Sequence, residues 1–214
     1  MNKICQSIVA LIAIGFSLPA LAMSPQLLEI SERWAEIKYQ TPKEQRVDAL
    51  EKLQTRAETL AQAHPGEAGP LIWQAIILST TAGEQGGLGA LSLVKRAKKL
   101  LERAASIDAD ALEGSVYTSL GSLYYQVPGW PIGFGSDKKA REYLQKALAV
   151  NPDGMDPNYF YGDFLLREEN DYAGAAAAFE HALAAPARER RPIADAGRRG
   201  EIEAALAKAR EGMK

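Results

Sequence analysis

The stretch "KKAREYLQKALAVNPD", residues 138–153, decides the fold because its pattern recurs along the chain. Upstream, "KRAKKLLERAASIDAD" (95–110) sets Ala97, Leu101, Ala104 and Ala109 opposite Ala140, Leu144, Ala147 and Pro152. Downstream, "AGAAAAFEHALAAP" continues with Ala175, Phe179 and Ala182, and Pro186 falls one residue early. Small residues at i and i+7 around a large one at i+4 occupy one helix face and let a second helix approach closely around a single knob. Each such segment follows another of helical composition. "GSVYTSLGSLYY" carries Tyr117, Leu120, Gly121 and Tyr124, and "PNYFYGDFLL" carries Asn158, Tyr161, Gly162 and Leu165. In both, the glycine removes a side chain where the paired helix must pass.

The remainder follows the same habit. No segment alternates apolar and polar residues with β-branched enrichment between turn residues, so no strand is expected. "TPKEQRVDALEKLQTRAETLAQAHP" (41–65) reads as an amphipathic helix. Thr41 is placed to cap it, Pro42 suits the first helical position, and Glu44 completes a capping box. Val47, Leu50, Leu53, Ala57 and Leu60 recur at helical spacing until Pro65. Regular Pro and Gly breaks exclude the sustained heptads of a coiled coil.

These positions resemble the tetratricopeptide repeat (TPR) signature over roughly residues 66–186, best at 114–186. The resemblance implies an all-α, right-handed superhelix of about four antiparallel helix pairs, an α-solenoid. Ile202 and Leu206 then predict a C-terminal capping helix, as solenoid ends require. One departure stands out. A TPR motif has 34 residues, and Gly121 to Ala140 exceeds that pattern by about seven. The surplus is "VPGWPIG" within "YYQVPGWPIGFGSDKKA" (124–140), and "TAGEQGGLGA" (81–90) shows a comparable one. Two long glycine-rich inter-helix loops are therefore expected.

At the N-terminus, Lys3 precedes an apolar run from Ile8 to Leu18, then Pro19 and Ala20-Leu21-Ala22. That is a secretory signal peptide over residues 1–22 with cleavage after Ala22, leaving one domain over residues 23–214. The run is shorter than the ~20 residues a spanning helix needs. Cys5 leaves with the signal, so the mature chain offers no disulfide, thiol nucleophile or thiolate metal site. Its 24 basic residues against 27 acidic ones argue against nonspecific nucleic-acid binding. His64 and His181 lack metal-site spacing. No cofactor is expected.

Three candidate sites follow. In loop 127–135, Pro128 and Pro131 stiffen a segment bearing Trp130, Ile132 and Phe134; these apolar side chains either seal the stack or face a partner. "GFGSDKK" is not a phosphate cradle, because Ser136 caps the next helix and Asp137 adds negative charge there. The resemblance also implies a concave groove, with Ser115, Thr118, Ser122 and Tyr125 facing it from one helix and Asp156, Tyr159, Asp163 and Leu166 from the next. Tyr125, Tyr159 and Asp163 are expected to point outward. Asp156 and Asp163 sit ~10.5 Å apart along a helix, beyond the ~9.5 Å limit of paired glycosidase carboxylates, and Asp156 before Pro157 reads as an N-cap. No strand-to-helix elbow for a nucleophilic serine is present, so no enzyme activity is expected. The arginines 188, 190, 191, 198 and 199 read as a solvated face with local ion pairs.

The reading is a periplasmic, non-catalytic scaffold binding a protein or peptide through Tyr125, Trp130, Phe134, Asp156, Tyr159 and Asp163. The alternative is a small-ligand accessory of a transport system. At the level of fold the chain is also similar to periplasmic TPR proteins associated with TRAP-type solute transporters.

Overall fold

A computed structural model describes residues 23–214, so the signal peptide expected over residues 1–22 lies outside the described residues. The described chain is helical throughout: α1 (Pro25–Gln40), α2 (Lys43–Ala63), α3 (Ala68–Gln85), α4 (Gly87–Ile107), α5 (Ala111–Gln126), α6 (Asp137–Val150), α7 (Met155–Phe164), α8 (Tyr172–Ala184) and α9 (Pro192–Gly212). A single π turn, Leu165–Glu169, extends α7 and ends at Asn170, which is left-handed.

The repeated pattern maps directly onto packing. Ala97, Leu101 and Ala104 of α4, Ala140, Leu144 and Ala147 of α6, and Ala175, Phe179 and Ala182 of α8 are all fully buried. The glycines of the preceding helices receive the knobs. A Cβ on Gly121 would stand 2.7 Å from Leu144 Cγ, and one on Gly162 would stand 2.7 Å from Phe179 Cε1. Burying each knob contributes about 1.5–3 kcal/mol, and the missing Cβ sets how closely the helices approach.

Consecutive helices contact one another all along the chain. The odd-numbered helices also touch in sequence, α1 to α3, α3 to α5, α5 to α7 and α7 to α9, and α9 returns to α1. They thus form a closed circuit of contacts. Two apolar clusters fill the interior, one around Leu27, Trp34, Leu50 and Trp73 and a larger one from Ala61 to Ala209. Ile76 and Leu112 pack against both.

Three local expectations change. The segment 81–90 is not a long loop, because α3 and α4 are joined by Gly86 alone. Gly86 and Gly87 take φ of 63° and 65°, which turns the chain within one residue. Packing of two long helices against each other overrides the helix penalty of Gly83 and Gly89, ~1 kcal/mol each. Thr41 does not cap α2; its hydroxyl donates to the Glu36 carbonyl and closes α1 instead. Gly154, not Asp156, is the N-cap of α7. Ser136 does cap α6, accepting from the Lys139 amide. Entry to α5 is strained: Leu112, Glu113 and Gly114 are all left-handed, at φ 51°, 57° and 73°. For the two non-glycine residues that costs roughly 1–2 kcal/mol each.

Candidate functional site

Loop 127–136 joins α5 to α6 and is anchored at both ends. The Ser136 amide donates to the Tyr124 carbonyl at 2.8 Å, and the Gly135 amide to the Pro128 carbonyl at 3.0 Å. Val127 is buried, and Phe134 meets Tyr124 edge-on at 5.6 Å between centroids. Lys98 lies 5.7 Å from the Phe134 centroid. On this base the tip projects outward: Trp130 is 89% exposed and Ile132 65%. The loop therefore divides the two roles considered for it. Val127 and Phe134 pack inward, and Trp130 and Ile132 face solvent.

The acidic and aromatic residues expected on a groove lie elsewhere. Tyr125 and Asp163 do not point outward. Both are buried, Asp163 to 4% exposure. The Tyr125 hydroxyl donates to Asp163 Oδ2 at 2.7 Å, and Arg167 Nε donates to Oδ1 at 2.8 Å. A carboxylate entering a helix interface needs such donors to replace its water, and a neighbouring helix supplies one of them. Burial, reinforced by Asp163, pushes the Tyr125 hydroxyl well above its ordinary range. Tyr159 is half-buried, with the Arg198 guanidinium 4.5 Å from its ring centroid.

Asp156 belongs to a different cluster. Its carboxylate accepts from Arg188 Nη1 at 2.6 Å and Arg198 Nε at 2.8 Å. Arg188 also donates to Asp195 at 2.6 Å, and Arg198 to Glu201 at 2.6 Å. Glu201 then reaches α1, where Lys38 Nζ is 2.9 Å away and the Tyr39 hydroxyl donates at 3.2 Å. One network of alternating charge thus ties α7, α9 and α1 together where the circuit closes. Burial alone would raise the Asp156 carboxyl, but Arg198, Arg188 and Arg191 outweigh it and hold the group well below the usual carboxylate range. The arginines of residues 188–199 are therefore only in part a solvated face: Arg190 is exposed, while Arg188, Arg198 and Arg199 are engaged within the fold. Arg198 is only 6% exposed, and Arg199 bonds the Leu183 and Ala185 carbonyls. Residue types at helical spacing gave no sign of this, because Arg188 and Arg198 lie 32 and 42 residues from Asp156 in sequence.

Arg191 stands apart within the cluster. Among the described residues its Nε is buried without an acceptor, as is Nε1 of Trp73, over whose ring its guanidinium lies at 5.3 Å. Burial and neighbouring Arg188 lower its affinity for its proton. It borders a cavity of about 120 Å³ between α1 and the start of α9, with Ser31, Ala35 and Ile193 in the wall and Glu32 and Glu36 on the α1 side. Among the described residues, no cluster of three His, Cys, Asp or Glu side chains is placed to hold a metal ion. No described helix is long and apolar enough to cross a membrane.

Over the described residues, fold and site together define an all-helical protein of consecutive helix hairpins, closed by a part-buried ion network and carrying a projecting apolar loop. The family model of the TRAP transporter T-component matches residues 23–194, and the chain belongs to that family. Among curated proteins, none matches the chain. The matched span ends in the first turn of α9, so Arg198 and Glu201 lie beyond it.

Proposed function

We propose that this protein is a non-catalytic accessory of a TRAP-type solute transport system, exported to the periplasm after cleavage at Ala22. Residues 23–214 act as one TPR-like unit that meets a protein component of the transporter through loop 127–135. The exposure of Trp130 and Ile132 on an anchored loop carries this reading. A tryptophan and an isoleucine held in water on a braced support keep an unfavourable apolar surface that burial in a partner removes. Tyr125, Asp156 and Asp163 are engaged inside the fold and serve the contact indirectly: Tyr125 with Asp163 fixes α5, which carries the loop, against α7, and Asp156 with Arg188 and Arg198 fixes α7 in turn.

The test is photo-crosslinking from p-benzoylphenylalanine at Ile132 in cells making the cognate transporter, with a Trp130→Ala variant alongside. A transporter component is captured, and Trp130→Ala reduces capture while changing stability by less than ~0.5 kcal/mol, as for an exposed residue. Equal capture by Trp130→Ala removes the loop from the reading.

A second reading, carriage of a small ligand, is favoured by the unpaired donor of Arg191, which lines the cavity at α1 and α9. Native mass spectrometry of the purified chain tests it. A bound small molecule that Arg191→Met releases supports carriage, and a bare chain rejects it.

A further inference from the structure

Between them, α2 and α4 flank a groove of about 490 Å³ floored by α3, and none of its lining residues belongs to the ion network. Its α4 wall carries Arg96, Lys99 and Arg103, and its α2 wall carries Glu58 and Gln62. Leu71, Leu100, Ala61 and Pro65 supply apolar surface. Gln74 reaches the groove from α3 and is only 5% exposed.

Two observations separate this groove from an ordinary solvated face. First, its cations are uncompensated. Among the described residues, α4 has one ion pair, Lys98 with Glu102, and none of Arg96, Lys99 and Arg103 has a carboxylate in reach. Arg103 makes only a long bond to the Pro65 carbonyl, at 3.4 Å. Second, Gln74 is a largely buried residue whose side chain lines the groove and makes no hydrogen bond to another described residue, so its amide is open to an occupant there.

The chemistry selects one class of occupant. Positions 96, 99 and 103 run ~10.5 Å along α4, too far for one phosphate or carboxylate and about the reach of three residues of extended chain. A primary amide offers a donor and an acceptor in one plane, which matches a backbone peptide unit; a phosphodiester has no donor to return. The apolar floor suits a side chain such as leucine between the charges. We propose that the α2–α4 groove binds an acidic peptide segment of a protein partner, with carboxylates on Arg96, Lys99 and Arg103 and backbone on Gln74. This rests on the reading of the chain as a protein-contacting accessory and adds a second, electrostatic contact remote in sequence from the Trp130 loop.

The test uses the whole mature chain and a fluorescein-labelled Glu-Leu-Glu-Glu-Leu-Glu peptide, followed by fluorescence anisotropy. The peptide binds, its counterpart with lysine for glutamate does not, and affinity falls as salt rises. Arg96→Gln with Lys99→Gln weakens binding about tenfold, the scale of two partly exposed ion pairs. Gln74→Leu weakens it severalfold without changing the salt dependence. Both cations are exposed, so the double variant keeps its circular dichroism and melting temperature. Absence of peptide binding, or equal binding by the double variant, overturns the proposal. So does binding to phosphatidylglycerol vesicles, lost in the same variant, with no affinity for the peptide. Crosslinking from Ile132 is read separately: capture there with no peptide binding leaves the accessory reading standing and removes only the groove.

Discussion

Replacing Arg198 by methionine tests whether the ion network closes the fold. The guanidinium is 6% exposed, bonds Asp156 at 2.8 Å and Glu201 at 2.6 Å, and lies 4.5 Å and 4.9 Å from the ring centroids of Tyr159 and Phe160. Methionine keeps much of the apolar packing and removes the charge. Breaking a buried pair costs roughly 3–5 kcal/mol. Here each carboxylate keeps a cationic partner, Arg188 for Asp156 and Lys38 for Glu201, so the lower end, about 3 kcal/mol, is expected. For a chain of this size that lowers Tm by roughly 6–12 °C.

Urea unfolding followed by circular dichroism gives the free energy. A cycle with Asp156→Asn isolates the pair, and the double variant is less destabilised than the sum of the singles by at least ~1.5 kcal/mol. The pH dependence has a fixed sign. Asp156 is depressed in the folded state, so its contribution is complete above the unfolded value of ~3.9 and fades as pH falls through and below it. The difference between wild type and Arg198→Met therefore stays level from pH 7 to about 5 and shrinks below about 4. A loss under ~1 kcal/mol, or strict additivity in the cycle, refutes a network that holds α9 in place.

Tyr125→Phe leaves Asp163 with Arg167 as its side-chain donor and costs about 1–3 kcal/mol, measured by the same unfolding assay. Gly121→Val drives a branched side chain into Leu144, already 2.7 Å from a Cβ and backed by its own backbone nitrogen at 3.2 Å. The expected loss is about 2–3 kcal/mol, and a Leu144→Ala second substitution recovers part of it by opening space.

Much of the fold was legible because it rests on local chemistry. The alanine–large–alanine sets on α4, α6 and α8 are all buried, and Ser136 caps α6. Gly121 and Gly162 lie under their knobs, since a missing side chain at a fixed helical position has one reading whatever the partner. The one-residue turn at Gly86 was not legible, because "TAGEQGGLGA" has loop composition and only the length of the α3–α4 contact makes it helical. The acidic residues misled for a related reason. Asp156 before a proline looks like a cap, and Asp163 looks like groove polarity. Their burial depends on Arg198, Arg188 and Tyr125, which no spacing rule connects to them.

The return of α9 to α1 also bears on how such a chain can vary over descent. A linear array of hairpins can gain or lose a unit at either end, because each unit touches only its neighbours. Here Glu201 is held by Lys38 and Tyr39, and Gly197 lies against the Tyr39 ring, so the circuit has a fixed circumference. Inserting one more hairpin would part the first helix from the last and leave a part-buried charge unpaired on each side. Length can change only where the chain leaves the circuit, in segments such as 127–136. Diversity among such proteins is then expected in their loops, with the number of helices constant.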